Sequence, residues 1–176
     1  GAMMGVCVTE VRRPAPRFIR AFAARLRETD AREVLGATGV ARDGIAEHIA
    51  REISDDLSAG GRVWAVMDGT RQLALFGARP DSLTGNTAVV WMLATRDADG
   101  RPLEFARMSR RCLRTVFEAF PQVSAFYNWV PERSERTVAW LRWLGAWLSV
   151  EARFASPWTG EVFARFVIAR EEALYV

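Results

Sequence analysis

There is no lysine in this chain; all 24 of its basic residues are arginine. Schiff-base catalysis and self-acylation at a lysine are therefore excluded within it. Histidine occurs once, at His48. A lone imidazole cannot build a metal site without partners, so no metal is expected. The two cysteines, Cys7 and Cys112, lie far apart and match no metal or redox spacing. They read as free thiols in a reducing compartment, filling the core as small apolar residues. No secretory apolar segment follows the first residues, and no apolar run approaches the ~20 residues of a membrane span. A net charge of +3 is too weak to argue for nucleic acid. The expectation is a soluble intracellular protein with neither a nucleic-acid nor a membrane partner.

Half of the 176 residues are hydrophobic and 26% are charged, an ordinary globular composition. That length suits one domain. The start, Gly1-Ala2-Met3, reads as the remnant of a cleaved tag, leaving residues 4–176 as the expected domain.

Periodicity gives a coarse element order. Val6 to Val11 suits a short strand. Pro16 opens a helix whose Phe18, Phe22 and Leu26 fall on one face. Gly36 and Gly39 mark a break before a second helix, Asp43 to Leu57, with a stripe of Ile45, Ile49, Ile53 and Leu57. His48 lies on this helix, as a half-buried polar residue or a substrate contact. Arg62 to Met67 and Leu73 to Phe76 read as a hairpin turning at Asp68-Gly69. Pro80 to Gly85 reads as a loop. Thr87 to Thr95 is nearly continuous in apolar residues, as in a strand covered on both faces. Leu103 to Phe120 is helical, with Arg107, Arg110, Arg111 and Arg114 either on a solvated face or forming an anion site. Val123 to Val130 is a strand broken by Pro131. Ser134 suits the N-cap of a helix ending near Gly145. Val150 to Phe154 and Glu161 to Ala169 read as two strands joined by a turn at Pro157-Trp158-Thr159-Gly160. The order is β-α-α-β-β-β-α-β-α-β-β, an α/β (α+β) chain with about four helices flanking a mixed, mostly antiparallel sheet.

That order resembles the GNAT superfamily of N-acyltransferases over nearly the whole chain. The most specific local likeness runs from Ser134 to Ala146. It has the spacing of the family pattern Asn-x-x-Ala-x-x-x-Tyr-x-x-x-Gly-Phe, with Ser134 at the asparagine, Thr137 at the small residue, Leu141 at the tyrosine and Gly145 at the glycine. More narrowly, the aromatic strand Phe126-Tyr127-Asn128-Trp129 and the helix Trp140-Leu141-Arg142-Trp143-Leu144-Gly145 resemble small GNAT-like proteins of tailed phages, some of internal virion type.

The resemblance implies a sheet that splays between its fourth and fifth strands, with acyl-CoA in the opening. It places the thioester beside the main chain of Met92, Leu93 and Ala94, which read equally well as a plain core strand. It places the phosphates at Gly100 and Arg101, before the helix at Leu103. The family's glycine-rich loop is replaced there by Arg96-Asp97-Ala98-Asp99-Gly100-Arg101-Pro102, also an ordinary strand-to-helix connection, and Asp97, Asp99 and Glu104 oppose a polyanion. Ser134 is carried over as a further cofactor-side residue. Leu141 cannot donate a proton to the departing thiolate, so Tyr127 is the substitute donor, or else a packed aromatic. Asn128 is the preferred polar site residue, because an asparagine in an apolar strand needs a partner; a structural bond to neighbouring backbone satisfies it equally. Glu47 and Glu52 are weak candidates for the base.

The function implied is acetyl transfer from acetyl-CoA to a small-molecule or protein amine. The alternative is a catalytically degenerate GNAT-fold phage protein, acting as a virion or host-interaction component. Of the seven tryptophans, Trp129, Trp140, Trp143 and Trp147 crowd the C-terminal half and point to a protein partner there, or to core filling. The location implied is cytoplasmic, meaning host cytoplasm or virion for a phage protein.

Overall fold

The computed structural model describes residues 5–81 and 86–171. The expected tag remnant, and residues 82–85 of the expected loop, lie outside them.

The first strand, β1 (Val6–Val11), has the expected bounds. Three helices follow rather than two: α1 (Pro16–Ala24), α2 (Glu28–Thr38) and α3 (Ile45–Ser58). The additional helix corrects the element order. Gly36 lies inside α2, and only Gly39, at φ 77°, ends it as a left-handed cap. Both glycines permit close approach. A Cβ on Gly36 would stand 2.9 Å from the Phe163 ring, and one on Gly39 would overlap Trp158. A glycine inside a helix costs roughly 1 kcal/mol against alanine; here it lets α2 press onto the C-terminal strands.

Next come β2 (Arg62–Asp68), β3 (Arg71–Pro80) and β4 (Thr87–Ala94). β3 is longer than expected, and Pro80 closes it rather than opening the loop. Then follow α4 (Pro102–Ala119), β5 (Ala125–Pro131), α5 (Glu135–Trp143), β6 (Trp147–Ala155) and β7 (Val162–Ala169). Pro131 does not break β5; it is the last rung opposite Phe163. The helices thus number five instead of about four.

The seven strands form one sheet in the order β1-β2-β3-β4-β5-β7-β6. All pairings are antiparallel except β4 with β5. Each face buries its own apolar cluster. Ile19, Phe22, Ile49 and Ile53 of α1 and α3 cover Val63, Ala65 and Leu75. On the other face Met108, Cys112, Val116 and Phe117 of α4 meet Phe76, Phe126 and Ile168. Successive strand residues point to opposite faces, so two clusters require alternating apolar positions on both sides, as β2 and β3 supply. Cys7 is exposed, correcting its expected place in the core; Cys112 is buried. Among the described residues, no helix is long and apolar enough to cross a membrane.

Candidate functional site

β4 and β5 pair only at Thr87↔Ala125, Ala88↔Phe126 and Val89↔Tyr127. Beyond Val89 they diverge, while β4 stays paired with β3 up to Ala94. Asn128 sits at the apex of the divergence. Its Nδ2 donates to the Val90 carbonyl at 2.8 Å, and its Oδ1 accepts from the Trp129 N–H at 2.8 Å. Both ends of the amide are therefore engaged by main chain.

The far end of the β4 edge is taken by α2. The Ala94 N–H donates to Asp30 Oδ2 at 2.7 Å, and the Ala94 carbonyl accepts from the Arg27 N–H at 3.0 Å. Neighbouring strand residues present their main-chain groups to alternate edges. Leu93, opposite Leu75, therefore faces β3, whereas Met92 shares the open edge with Val90 and Ala94. Of the expected Met92-Leu93-Ala94 stretch, only Met92 keeps a main-chain edge toward the opening with no strand partner on that side.

A cavity of about 330 Å³ passes through this opening. On the α2 and α3 side its wall includes Glu33, His48 and Glu52; on the α4 and α5 side it includes Ser109, Cys112 and Leu141. His48 thus reaches the cavity, with Nε2 3.9 Å from Glu52 Oε1. Glu47, by contrast, lies exposed on the surface. Tyr127 is not part of the wall. It points to the face opposite Asn128, where burial, then a hydrogen bond to Asp81, raises its phenol pKa.

The carboxylates that dominate the site were not expected from sequence. Asp30 is 4% exposed and receives, besides Ala94, an Arg27 guanidinium N–H at 2.9 Å. Burial still raises its pKa, against the pull of Arg27. Glu33, one helical turn on, is pushed up to about 8, first by burial and then by the neighbouring Asp30. The Ser134 hydroxyl donates to Thr137 Oγ1 at 3.0 Å, and the Thr137 hydroxyl points to Glu33 Oε1 at 3.5 Å. Ser134 therefore heads a chain of polar groups leading to Glu33. It does not cap the helix main chain as expected.

At the other end, the connection after β4 makes a short 3-10 turn, Arg96–Ala98. Asp97 is held by Arg25 through bonds of 3.0 and 2.7 Å, which neutralise its charge. Gly100 has φ 77°, and nothing lies within 4 Å of where its Cβ would stand. α4 begins with Pro102 at its first turn and has no side-chain cap, so the N–H groups of Leu103 and Glu104 remain available. The Arg101 guanidinium lies 3.9 Å from the Glu104 carboxylate. On α4 itself, Arg107, Arg111 and Arg114 are exposed, as on a solvated face, while Arg110 stacks 3.5 Å over the Trp143 ring.

No protein-family model matches the sequence, and no curated protein does. Many solved structures match the fold. A spermidine N-acetyltransferase from Vibrio cholerae, solved with CoA and spermine, is 14% identical with a TM-score of 0.71, over 96% of this chain and 98% of that one. The same enzyme with manganese ions is 15% identical with a TM-score of 0.65, over 99% and 98%. A chimeric form of it is 16% identical with a TM-score of 0.68, over 97% and 99%. At these identities the likeness shows the fold, and the fold is that of the GNAT superfamily.

Proposed function

We propose that this chain transfers an acyl group from acyl-CoA to an amine. The observation that carries the reading is the divergence of β4 and β5 beyond Val89, with the unpaired Met92 edge facing a cavity that passes through the sheet. The residues present fit the ligand at both of its polar segments. Met92 offers a main-chain donor for a thioester carbonyl, and the N–H groups at the start of α4, with Gly100 and Arg101, suit phosphates. Locking Asp97 to Arg25 removes one of the charges that would repel them.

Acyl-CoA supplies an activated thioester carbonyl. In the transfer, the amine nitrogen bonds to that carbonyl carbon, the carbon–sulfur bond breaks, and the sulfur leaves as thiolate. Glu33 takes the proton the amine must lose; its raised pKa suits a base working near neutral pH. Thr137 and Ser134 orient its carboxyl. Asn128 acts as a positioning residue, holding the apex of the opening through Val90. Tyr127, turned to the other face, is not used. Asp30, Glu33 and Glu52 line the amine side with carboxyl groups whose ionised forms a cationic acceptor would favour; a polyamine, the kind of molecule bound by the Vibrio cholerae enzyme, is such an acceptor.

The test is acyl-CoA turnover with spermine and other amines, read as thiol release. Saturable, amine-dependent release is expected. Absence of CoA binding at millimolar concentration would overturn the reading. It would favour a non-catalytic phage virion or host-interaction component, for which Trp129, Trp143, Trp147 and Trp158 supply exposed rings.

A further inference from the structure

α2 bridges the gap in the sheet. Its first turn is tied to the end of β4, where the Ala94 N–H donates to Asp30 Oδ2 at 2.7 Å and the Arg27 N–H donates to the Ala94 carbonyl at 3.0 Å. Further along, Gly36 lets the helix press onto the Phe163 ring of β7, on the other side of the divergence. Glu33 falls midway between these two anchors, about 4.5 Å along the axis from each. On β4, Met92 lies two residues, roughly 7 Å, before Ala94 on the same edge. One carboxyl thus joins the helix that carries Glu33 to the strand that carries the Met92 edge.

Asp30 also holds a cation. It is buried, and both of its oxygens accept: Oδ2 from Ala94, Oδ1 from Arg27 at 2.9 Å and from the Thr29 hydroxyl at 3.4 Å. Donors on both oxygens favour the ionised carboxylate against its burial. The Arg27 guanidinium stacks over Phe105 at 5.1 Å, and its Nε is buried with no hydrogen-bond partner. Glu33 faces Asp30 and Arg27 on its own side, Thr137 of α5, and Glu161 ahead of β7. His48 and Glu52 of α3 line the cavity with it. Of these groups, Asp30 and Glu161 oppose ionisation of Glu33, whereas Arg27 and Thr137 favour it.

We infer that Asp30 is a positioning residue for acyl transfer: it pins α2 to the end of β4 and keeps Arg27 engaged, so that Glu33 stands at a fixed reach from the Met92 edge with no cation bound to it. A base gains most of its effect from such fixed geometry. The inference rests on the acyl-CoA reading, with Glu33 as the base.

Asp30→Asn separates the two tasks. Its amide oxygen can still accept from Ala94, but its amide nitrogen cannot accept from Arg27. Asp30→Ala loses both bonds. The Glu33 carboxyl is followed by carbon NMR of the glutamate-labelled full chain, assigned with Glu33→Gln, and kcat and KM are measured with acetyl-CoA and spermine from neutral to alkaline pH. In Asp30→Asn the Glu33 midpoint should fall from about 8 by about one pH unit, because an opposing carboxylate is gone and an arginine is released. Asp30→Ala should show the same fall and lower kcat about thirtyfold, with the KM for acetyl-CoA little changed. Arg27→Gln should move the midpoint the opposite way, upward. A purely structural role would not produce opposite shifts. A midpoint that stays or rises in folded Asp30→Asn overturns the inference. Should both aspartate variants fail to fold, a midpoint that does not rise in Arg27→Gln overturns it. If the wild type turns over but its variants keep the wild-type midpoint, this inference falls alone; if the wild type shows no amine-dependent thiol release, the acyl-CoA reading falls and takes it along.

Discussion

The two ends of the cavity are made from opposite materials. The end near α4 offers main-chain N–H groups and arginines; of its acids, Asp97 is locked to Arg25 and Glu104 lies 3.9 Å from Arg101. The end near α2 offers carboxylates held among protein groups, and its arginines are already paired, Arg27 with Asp30 and Arg79 with Asp56. An anionic donor and a cationic acceptor would thus meet at the Met92 edge from opposite sides. Charge can sort two substrates without any sequence signature, because main-chain donors carry no side-chain code.

Substitutions at the acidic end should have the larger effects. Glu33→Gln removes the base and should lower kcat/KM for amine transfer about a hundredfold. In the wild type, transfer needs the ionised carboxylate, so activity should rise with pH through about 8. The variant should lose the inflection near 8 and keep only the rise set by deprotonation of the amine substrate; an inflection still at 8 would clear Glu33 of the role.

Thr137→Val tests the polar chain behind that carboxyl. The Thr137 hydroxyl favours the ionised form of Glu33, so its loss should move the midpoint to higher pH. It should cost about fivefold at pH 7. Rescue by Thr137→Ser would separate this from a packing defect.

At the basic end, Arg25→Ala frees Asp97 to face the donor phosphates. CoA affinity should weaken about threefold, and high salt should shrink the difference. An equal loss in amine affinity would contradict the division of labour.

The smallest effect concerns stability. The folded-state pKa of Glu33 lies well above its ordinary 4.5. The folded chain therefore binds more protons than the unfolded one between about pH 4.5 and 8, and stability should fall as pH rises across that window. Burial of Asp30 acts in the same direction. Glu33→Gln should flatten the loss, seen as a smaller drop in Tm between pH 5 and 8.5.

The sheet was readable from sequence because its physics leaves a trace. β1 has its expected bounds, and the apolar run of β4 announced a strand covered on both faces. The opening between β4 and β5 followed from strand count and family likeness. The acidic end was not readable, for a physical reason. α2 opens on Arg27 without a side-chain cap, contains a glycine, and buries Asp30 where a helix usually buries leucine. Such a helix shows no apolar period. The one available hint was Asp30 and Glu33, one turn apart, ahead of two glycines that let their helix lie close to the sheet. Asn128 was readable as a polar residue in need of a partner, but not as a clamp on Val90, because that requires knowing where the strands part. The same holds for Ala94, whose main chain is taken by a helix the sequence did not reveal.

Everything rests on one bare stretch of strand edge serving as a handle for a thioester. Titration of isotope-labelled protein with acetyl-CoA, followed by amide NMR, tests it directly. Saturable shifts at the Met92 amide together with those of Gly100, Arg101, Leu103 and Glu104 are predicted. A Met92 amide that does not respond at millimolar acetyl-CoA would contradict the account.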